Sequence, residues 1–455
     1  MKTVFLVLFY GDVVRNFTFP EGVMEEFVKH RDLRIVALIA ETFRERLAPY
    51  TRYGSVMLEP IEKFPVRGFR QRLFQFFYSY LMFTGTTRAL ATFGARADQP
   101  PAGGNRHIVL IKRFIAATFG RSDWIKVRLV PWLFFKFFSR RPYQALFDGY
   151  QPALVVLPNV AFFPDIEILA EAKRRGIRTV AMPSNWDHLN KYFIPLHAER
   201  LLVQNEPMRQ EAISYHRYPA EAVVPVGFPQ FDFYVKETLW RVSREEFLEK
   251  FRIPPERKII LYISGSVYAL DEPDVLKAIL GWVEAGRFDM PAHLVVRPYV
   301  GARDLQAERS KYKDFTDLPH LSFNWLDTYK NPADMKYYLA MLRYADVVIS
   351  VFSTTAIEAA IFDKPTLTIG FDGHQQRPFH QSIRRLETMS HFKHVLETGS
   401  VKVARSFEEL FSELNGYLKS PERDRDKRRL LINKMCYRLD GNSSRRIVEE
   451  IVNLL

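Results

Sequence analysis

A chain of 455 residues has room for two or three domains of ordinary size, and its 47% hydrophobic and 26% charged content excludes wholesale disorder. A single cysteine, Cys436, excludes an internal disulfide and any Cys-rich zinc site, and fits a reducing compartment. The net charge of +13 is unevenly placed: residues 64–142 hold 14 Lys and Arg against Asp98 and Asp123, a local balance of +12, together with 17 Phe, Tyr and Trp.

The first apolar run, residues 4–9, ends in Gly11-Asp12 without a small-residue cleavage site, so it reads as a first buried strand and not as a signal peptide. No stretch approaches the roughly 18 apolar residues that cross a bilayer. Strands are predicted at 34–39, 153–157, 178–182, 200–203 and 222–226, with helices at 21–29, 164–175 and 207–215. The segment 227–232 reads as a turn that closes this series. A charged helix over 236–251 and Pro254-Pro255 then mark a boundary. A second alternating series follows, with strands at 258–263, 293–297, 321–323, 347–350 and 366–369 and helices at 275–285, 335–344 and 355–362. From Phe407 the chain reads as charged helix, broken by a turn at 440–442. Residues 100–104, Pro-Pro-Ala-Gly-Gly, read as an exposed loop.

This pattern predicts an α/β protein of two Rossmann-like domains facing a cleft. They are an N-terminal domain, 1–235, carrying a basic aromatic helical insertion at 64–142, and a C-terminal domain, 236–455. In such folds ligands bind beyond the carboxyl ends of strands, so the candidate residues are those that follow strands. Ser353, Thr354 and Thr355 open a helix that carries Glu358 one turn in. Ser353 either caps that helix or helps to hold a phosphate, with Glu358 placed toward a ribose. Ser264-Gly265-Ser266 follows a strand as a short hydroxyl-rich loop, and Arg297 ends another with a guanidinium suited to phosphate. In the first half, Asn185, Asp187, His188 and Lys191 follow the strand at 178–182. Either Asp187 or His188 is placed to act as a general base. Gly11 and Asp12 are the matching acceptor-side loop after the first strand. No Walker lysine loop, His-Glu-x-x-His motif or Gly-x-Ser-x-Gly elbow occurs, and His374, His380, His391 and His394 do not converge like ligands. No metal and no cofactor is expected.

The run from Ser353 to Glu358, with Gly227-Phe-Pro-Gln-Phe-Asp232 and Asp440-Gly-Asn-Ser-Ser444, resembles glycosyltransferases of the GT-B fold over residues 150–455. Within them it looks closest to bacterial surface-polysaccharide transferases and to CDP-glycerol glycerophosphotransferases. The resemblance implies inverting, metal-independent transfer from a nucleotide-activated donor held by the second domain to an acceptor on the first. Where the glycerophosphotransferases carry Trp-His-Gly and a following Lys, this chain has Trp186-Asp187-His188 and Lys191. Their Arg/His-Pro phosphate motif stands here as Arg297-Pro-Tyr299. These departures favour a nucleotide-activated sugar as donor; the alternatives are a CDP-glycerol-type glycerophosphate donor and a non-hydrolysing nucleotide-sugar 2-epimerase. A lipid-linked or surface-glycan acceptor gives the segment 64–142 two readings: core helices with snorkelling cations, or contact with an anionic membrane surface. Nucleic acid is not expected as a partner. The implied place is cytoplasmic, at the inner face of the cell membrane.

Overall fold

A computed structural model describes all residues except 67, 95, 98–105, 301–304, 316–317 and 329–330; the loop expected at 100–104 lies outside the described residues. The chain divides into two compact units. Unit 1 comprises Met1–Thr87, His107–Lys236 and Cys436–Leu455; unit 2 comprises Arg88–Arg106 and Glu237–Met435.

Unit 1 is built on seven strands: β1 (Lys2–Leu8), β2 (Leu33–Ile39), β3 (Val56–Pro60), β4 (Leu154–Leu157), β5 (Arg178–Ala181), β6 (Arg200–Val203) and β7 (Val223–Pro225). They lie in the order β3-β2-β1-β4-β5-β6-β7, every pair parallel. The register sets Val4 beside Ile35 and Leu6 beside Val156. Val4 to Leu8 and the whole of β4 are buried, as expected of strands covered on both faces. Strand β3 escaped the sequence reading because Val56-Met-Leu-Glu-Pro60 is short and ends in a charge and a proline, as an edge strand tolerates.

Unit 2 holds β8 (Lys258–Ile263), β9 (Ala292–Arg297), β10 (Leu321–Phe323), β11 (Val347–Ser350), β12 (Thr366–Ile369) and β13 (Val401–Ala404), all parallel in the order β10-β9-β8-β11-β12-β13. Strand β13, another edge strand, was also missed. Asp346 pins the start of the β8–β11 pair: its carboxylate accepts from the Ile259 amide at 2.8 Å and from Lys258 Nζ at 3.1 Å. Each unit thus shows the Rossmann-like order in which the chain leaves the first strand in one direction and returns to its other side.

The division departs from the expected domains in two places. Residues 436–455, expected with the second domain, belong to unit 1, and residues 88–106, expected within the insertion of the first, belong to unit 2. The first departure has a clear cause. The segment 227–232, read as a turn, leads into a helix at Pro229–Val235 that points Asp232 at the last helix, Ser443–Val452. The buried Asp232 carboxylate accepts the Ser443 and Ser444 amides at 2.9 and 2.6 Å, capping that helix from another part of the chain. Burial raises the Asp232 pKa, and the amides of Ser444 and Ser443 oppose the rise. Gly227 has φ of +90°, and a Cβ there would lie 2.4 Å from Ser443 Oγ. Ile447, Val448 and Ile451 of the last helix then join the core under β1 and β2. The charged helix expected at 236–251 is shorter, Arg244–Phe251, capped by Ser243, whose hydroxyl accepts from the Glu246 amide at 3.1 Å.

Candidate functional site

In a sheet of this order, the loops on either side of the point where the chain reverses leave a crevice at the carboxyl ends of the strands. In unit 1 those loops follow β1 and β4, with the loop after β5 beside them. Tyr10, after β1, donates its hydroxyl to the Phe163 carbonyl. Burial, and then the charges of Asp165 and Asp12, raise its pKa. Asp12 stands in the first turn of the helix Gly11–Phe17. Asp165 opens the helix Asp165–Arg174 and is 1% exposed; its Oδ1 accepts the Asn159 amide at 2.9 Å, while its Oδ2 and the Asn159 Oδ1 have no partner. Burial holds the Asp165 pKa far above the usual carboxylate range. Phe162 closes this group, its ring 6.2 Å from that of Tyr10 and 5.6 Å from that of His188.

His188 is where the two loop sets meet. It begins a short helix, His188–Lys191, packs edge-on to Tyr192 at 5.4 Å, and has Nδ1 3.4 Å from Ser184 Oγ. Burial lowers its pKa, so the imidazole is neutral near pH 7 and able to take a proton. The neighbouring candidates have other tasks. Asp187 is 8% exposed and its carboxylate accepts from Lys191 Nζ, so both groups are committed to an ion pair. Asn185 folds the loop, its side-chain oxygen accepting the Trp186 amide at 2.9 Å and its carbonyl the His188 amide at 3.2 Å. A Cβ on Gly11 would meet the Phe43 ring at 3.4 Å, an ordinary contact.

Unit 2 rearranges the donor candidates. The Ser264-Gly265-Ser266 loop, expected at phosphate, has its donors taken by buried carboxylates. Gly265 N–H donates to Glu272 at 2.6 Å, Ser266 Oγ to Glu308 at 2.8 Å and Ser264 Oγ to Glu308 at 3.4 Å. Tyr312 OH and Lys311 Nζ complete that network on Glu272 at 2.9 and 2.7 Å. Gly265 is small for the sheet: a Cβ would sit 2.5 Å from Val351 Cγ1 where β8 and β11 end together. Thr354, not Ser353, takes the cap position of the helix Thr355–Ile361, and the Ser353 hydroxyl accepts the Thr355 amide at 3.3 Å.

Arg297 and Glu358, by contrast, are brought into one network. Arg297 is 8% exposed at the end of β9. Its guanidinium lies over the Tyr338 ring at 4.8 Å, and its Nη2 reaches Thr328 Oγ1 only at 3.4 Å. Its Nε has no partner, and among the described residues no carboxylate pairs with it. Tyr338 donates its hydroxyl to Glu358 at 2.5 Å and is also bonded by Thr355. Burial, then the Glu358 charge, raise its pKa. Tyr338 was not foreseen, because a Tyr within the helix Pro332–Tyr344 reads as core. The structure therefore gathers a cation, a phenol, a hydroxyl and a carboxylate at the ends of β9 and β11. The arrangement suits an anion against the guanidinium, with hydroxyls near the carboxylate.

A cavity of about 1110 Å³ opens elsewhere in unit 2, after β12 and β13, lined by Phe371, Arg377, Phe379, Arg384, Glu387 and Arg405 among others. Its arginines face carboxylates: Arg377 pairs with Asp271, Arg384 with Asp372 at 3.7 Å and Arg405 with Glu387. Arg297 and Glu358 do not line it. Charge neutralised in this way attracts an anion less than the Arg297 guanidinium does, so the network and not the larger cavity is the candidate site.

Residues 329–453 match the model of the family described as CDP-Glycerol:Poly(glycerophosphate) glycerophosphotransferase, a span that holds Tyr338, Thr355 and Glu358. No curated protein matches the chain. Among solved structures, a glycosyltransferase from Rickettsia africae ESF-5 is similar with a TM-score of 0.54 at 10% identity, over 100% of this chain and 98% of that one. A UDP-GlcNAc 2-epimerase from Neisseria meningitidis, bound to UDP-GlcNAc, gives 0.56 at 12% identity over 99% and 100%. The calicheamicin glycosyltransferase CalG4 gives 0.51 at 12% identity over 100% and 98%. At such identities the likeness is one of fold: the chain has the two Rossmann-like domains of the GT-B architecture, and it resembles both glycosyltransferases and the CDP-glycerol transferases.

Proposed function

We propose that this chain is a transferase that moves a glycosyl group from a nucleoside-diphosphate donor to an acceptor hydroxyl. The observation that carries this reading is Arg297, a nearly buried guanidinium that no carboxylate of the described residues pairs with, joined through Tyr338 to Glu358 in a unit of nucleotide-binding topology. A buried cation of this kind is costly unless an anion arrives to pair with it.

In this reading the donor diphosphate rests on Arg297, and Glu358, with Ser353, Thr354 and Thr355 near it, faces the nucleoside. His188, neutral by burial, is the base on unit 1. It takes the proton of the acceptor hydroxyl as the acceptor oxygen bonds to the anomeric carbon. The bond from that carbon to the β-phosphate oxygen breaks, and its electron pair leaves with the nucleoside diphosphate. Arg297 offsets the developing charge without requiring a metal ion. Asp187 and Lys191 hold the His188 loop, and Asp12 and Tyr10 border the acceptor. A lipid-linked or surface-glycan acceptor, handled at the inner face of the cell membrane, completes the proposal.

The family match favours one further reading, in which the donor is CDP-glycerol and glycerophosphate is transferred. Calorimetric titration with UDP, CDP, GDP and dTDP separates the two readings. Tight UDP binding that Arg297→Met abolishes supports the sugar donor, and tight CDP binding alone supports glycerophosphate. Binding of none overturns both. Incubation with UDP-GlcNAc alone, the ligand of the Neisseria meningitidis structure, tests for an epimerase, since only an epimerase yields the C2 epimer without an acceptor.

A further inference from the structure

The basic aromatic segment sorts its side chains in an unusual way. Phe74, Tyr78, Phe134 and Phe138 turn inward and are buried. They stack on one another, Phe134 on Phe138 at 4.5 Å and Phe74 on Phe137 at 5.3 Å, which fixes the helix Phe69–Ser79 against Val130–Phe137. Phe77–Phe119 and Phe119–Phe114 contacts at 5.5 and 6.2 Å attach the helix Arg106–Ala117 to the same layer. Core packing therefore accounts for these side chains.

Others point outward. Phe69 is 79% exposed, Leu110 65%, Trp124 62%, Phe114 61% and Trp132 57%. A scattered exposed Leu needs no explanation, whereas several large apolar side chains on one connected helical layer do. Cations alternate with them in register. Trp124, Arg128, Trp132 and Lys136 repeat every four residues and are all exposed, so they form one face of a continuous helix, with Lys136 Nζ 5.1 Å from the Trp132 ring. Arg70 and Arg72 flank Phe69 and Leu73, and Arg113 lies beside Phe114; all are exposed. Asp123, the one acid among the described residues of the segment, is drawn aside by Arg217 at 2.6 Å.

We infer that this face is the seat of the protein on an anionic phospholipid bilayer, with Phe69, Phe114, Trp124 and Trp132 entering the headgroup–acyl boundary and the arginines and lysines contacting lipid phosphates. Apolar tips spaced among cations, with Asp123 paired to Arg217, match such an interface in both shape and charge. A protein partner of ordinary interface composition would be met by charges of both signs. Within unit 1 the same layer holds the His188 loop: Thr84 Oγ1 donates to the Asn190 carbonyl at 2.7 Å, and Phe138 packs on Phe163 at 5.6 Å. A surface seated on lipid thereby carries the proposed acceptor loop with it. This inference deepens the lipid-linked acceptor of the proposed function and rests on that reading only for the acceptor.

Sedimentation of the full chain with sucrose-loaded vesicles tests it, using phosphatidylglycerol–phosphatidylcholine vesicles at 0.1 M and 0.5 M salt beside phosphatidylcholine alone. Wild type should partition to anionic vesicles at least ten-fold more than to neutral ones, and less at high salt. The variant Phe114→Ser/Trp124→Ser/Trp132→Ser should lose at least ten-fold in partition while keeping its melting temperature and its UDP affinity. Brominated lipids should quench wild-type tryptophan emission and leave the variant's unchanged. Wild type that stays in the supernatant with anionic vesicles overturns the inference, as does a triple variant that binds them equally. A concentration-dependent dimer in sedimentation equilibrium that the same variant abolishes, without vesicle binding, also overturns it and assigns the face to a second copy. Loss of UDP binding by wild type sinks the donor assignment and leaves this result standing.

Discussion

Replacing Arg297 by Met separates a donor-binding guanidinium from a structural one, because the two roles predict opposite signs for stability. The change keeps the aliphatic stem and removes the charge. The unliganded protein loses a cation–π contact with Tyr338 at 4.8 Å and a marginal hydrogen bond to Thr328 at 3.4 Å. Together these are worth about 1–2 kcal/mol. It also sheds the desolvation of a guanidinium that is 8% exposed and has an Nε without a partner, a cost of several kcal/mol. The net expectation is unchanged or increased stability, by up to about 2 kcal/mol in urea unfolding. Binding moves the other way. Two charge-assisted bonds to a diphosphate contribute roughly 3 kcal/mol, so the Kd for UDP should rise on the order of 100-fold in calorimetry. A variant that loses more than about 2 kcal/mol of stability and binds UDP as wild type does would refute the reasoning, since Arg297 would then be a structural cation.

Tyr338→Phe removes the 2.5 Å bond to Glu358 while keeping the ring under Arg297; UDP affinity should fall about ten-fold with folding retained, and Glu358→Gln should reproduce the loss. His188→Gln should lower kcat by at least about 100-fold with little change in donor Kd. Because burial lowers the His188 pKa, wild-type kcat/KM should be flat above pH 6.5 and fall only below it; an acid limb above pH 7 contradicts the assignment. Glu167, raised by burial to about 7, has an Oε2 without a partner. Its folded value lies above its unfolded one, so its contribution is present at low pH and is lost as pH rises from about 4.5 to about 7. Glu167→Gln should flatten that slope and add about 1–2 kcal/mol at pH 8 in thermal melts, after discounting for partial solvent screening. Asp232→Ala leaves two buried amides without acceptors and should cost about 2–4 kcal/mol without changing UDP affinity, a result that would identify the Gly227–Asp232 and Asp440–Ser444 stretches as a clasp and not a site.

The sequence by itself determined the fold class, because parallel strands buried on both faces must be continuous apolar runs, and Val4–Leu8, Leu154–Leu157 and Val347–Ser350 announce themselves in that way. It also singled out Arg297, Glu358 and His188 as residues at or after strand ends, and the structure sets each in such a position, since strands are legible. Edge strands β3 and β13 were not legible, because short runs interrupted by Glu59 and Lys402 lack a distinctive period. Commitments between distant side chains were equally hidden. Ser266 to Glu308 across 42 residues and Asp232 to Ser444 across 212 exist only once the chain has folded. A hydroxyl or an amide in sequence is an available donor; in the structure a carboxylate has taken it. Tyr338 shows the converse, a residue indistinguishable from core in a helical pattern that tertiary packing sets between the cation and the carboxylate. The basic aromatic segment also carried two readings in sequence, and the structure adds which of its side chains pack as core and which stay exposed. Periodicity tells which residues share a face, and only the packing of neighbouring helices decides which face is covered.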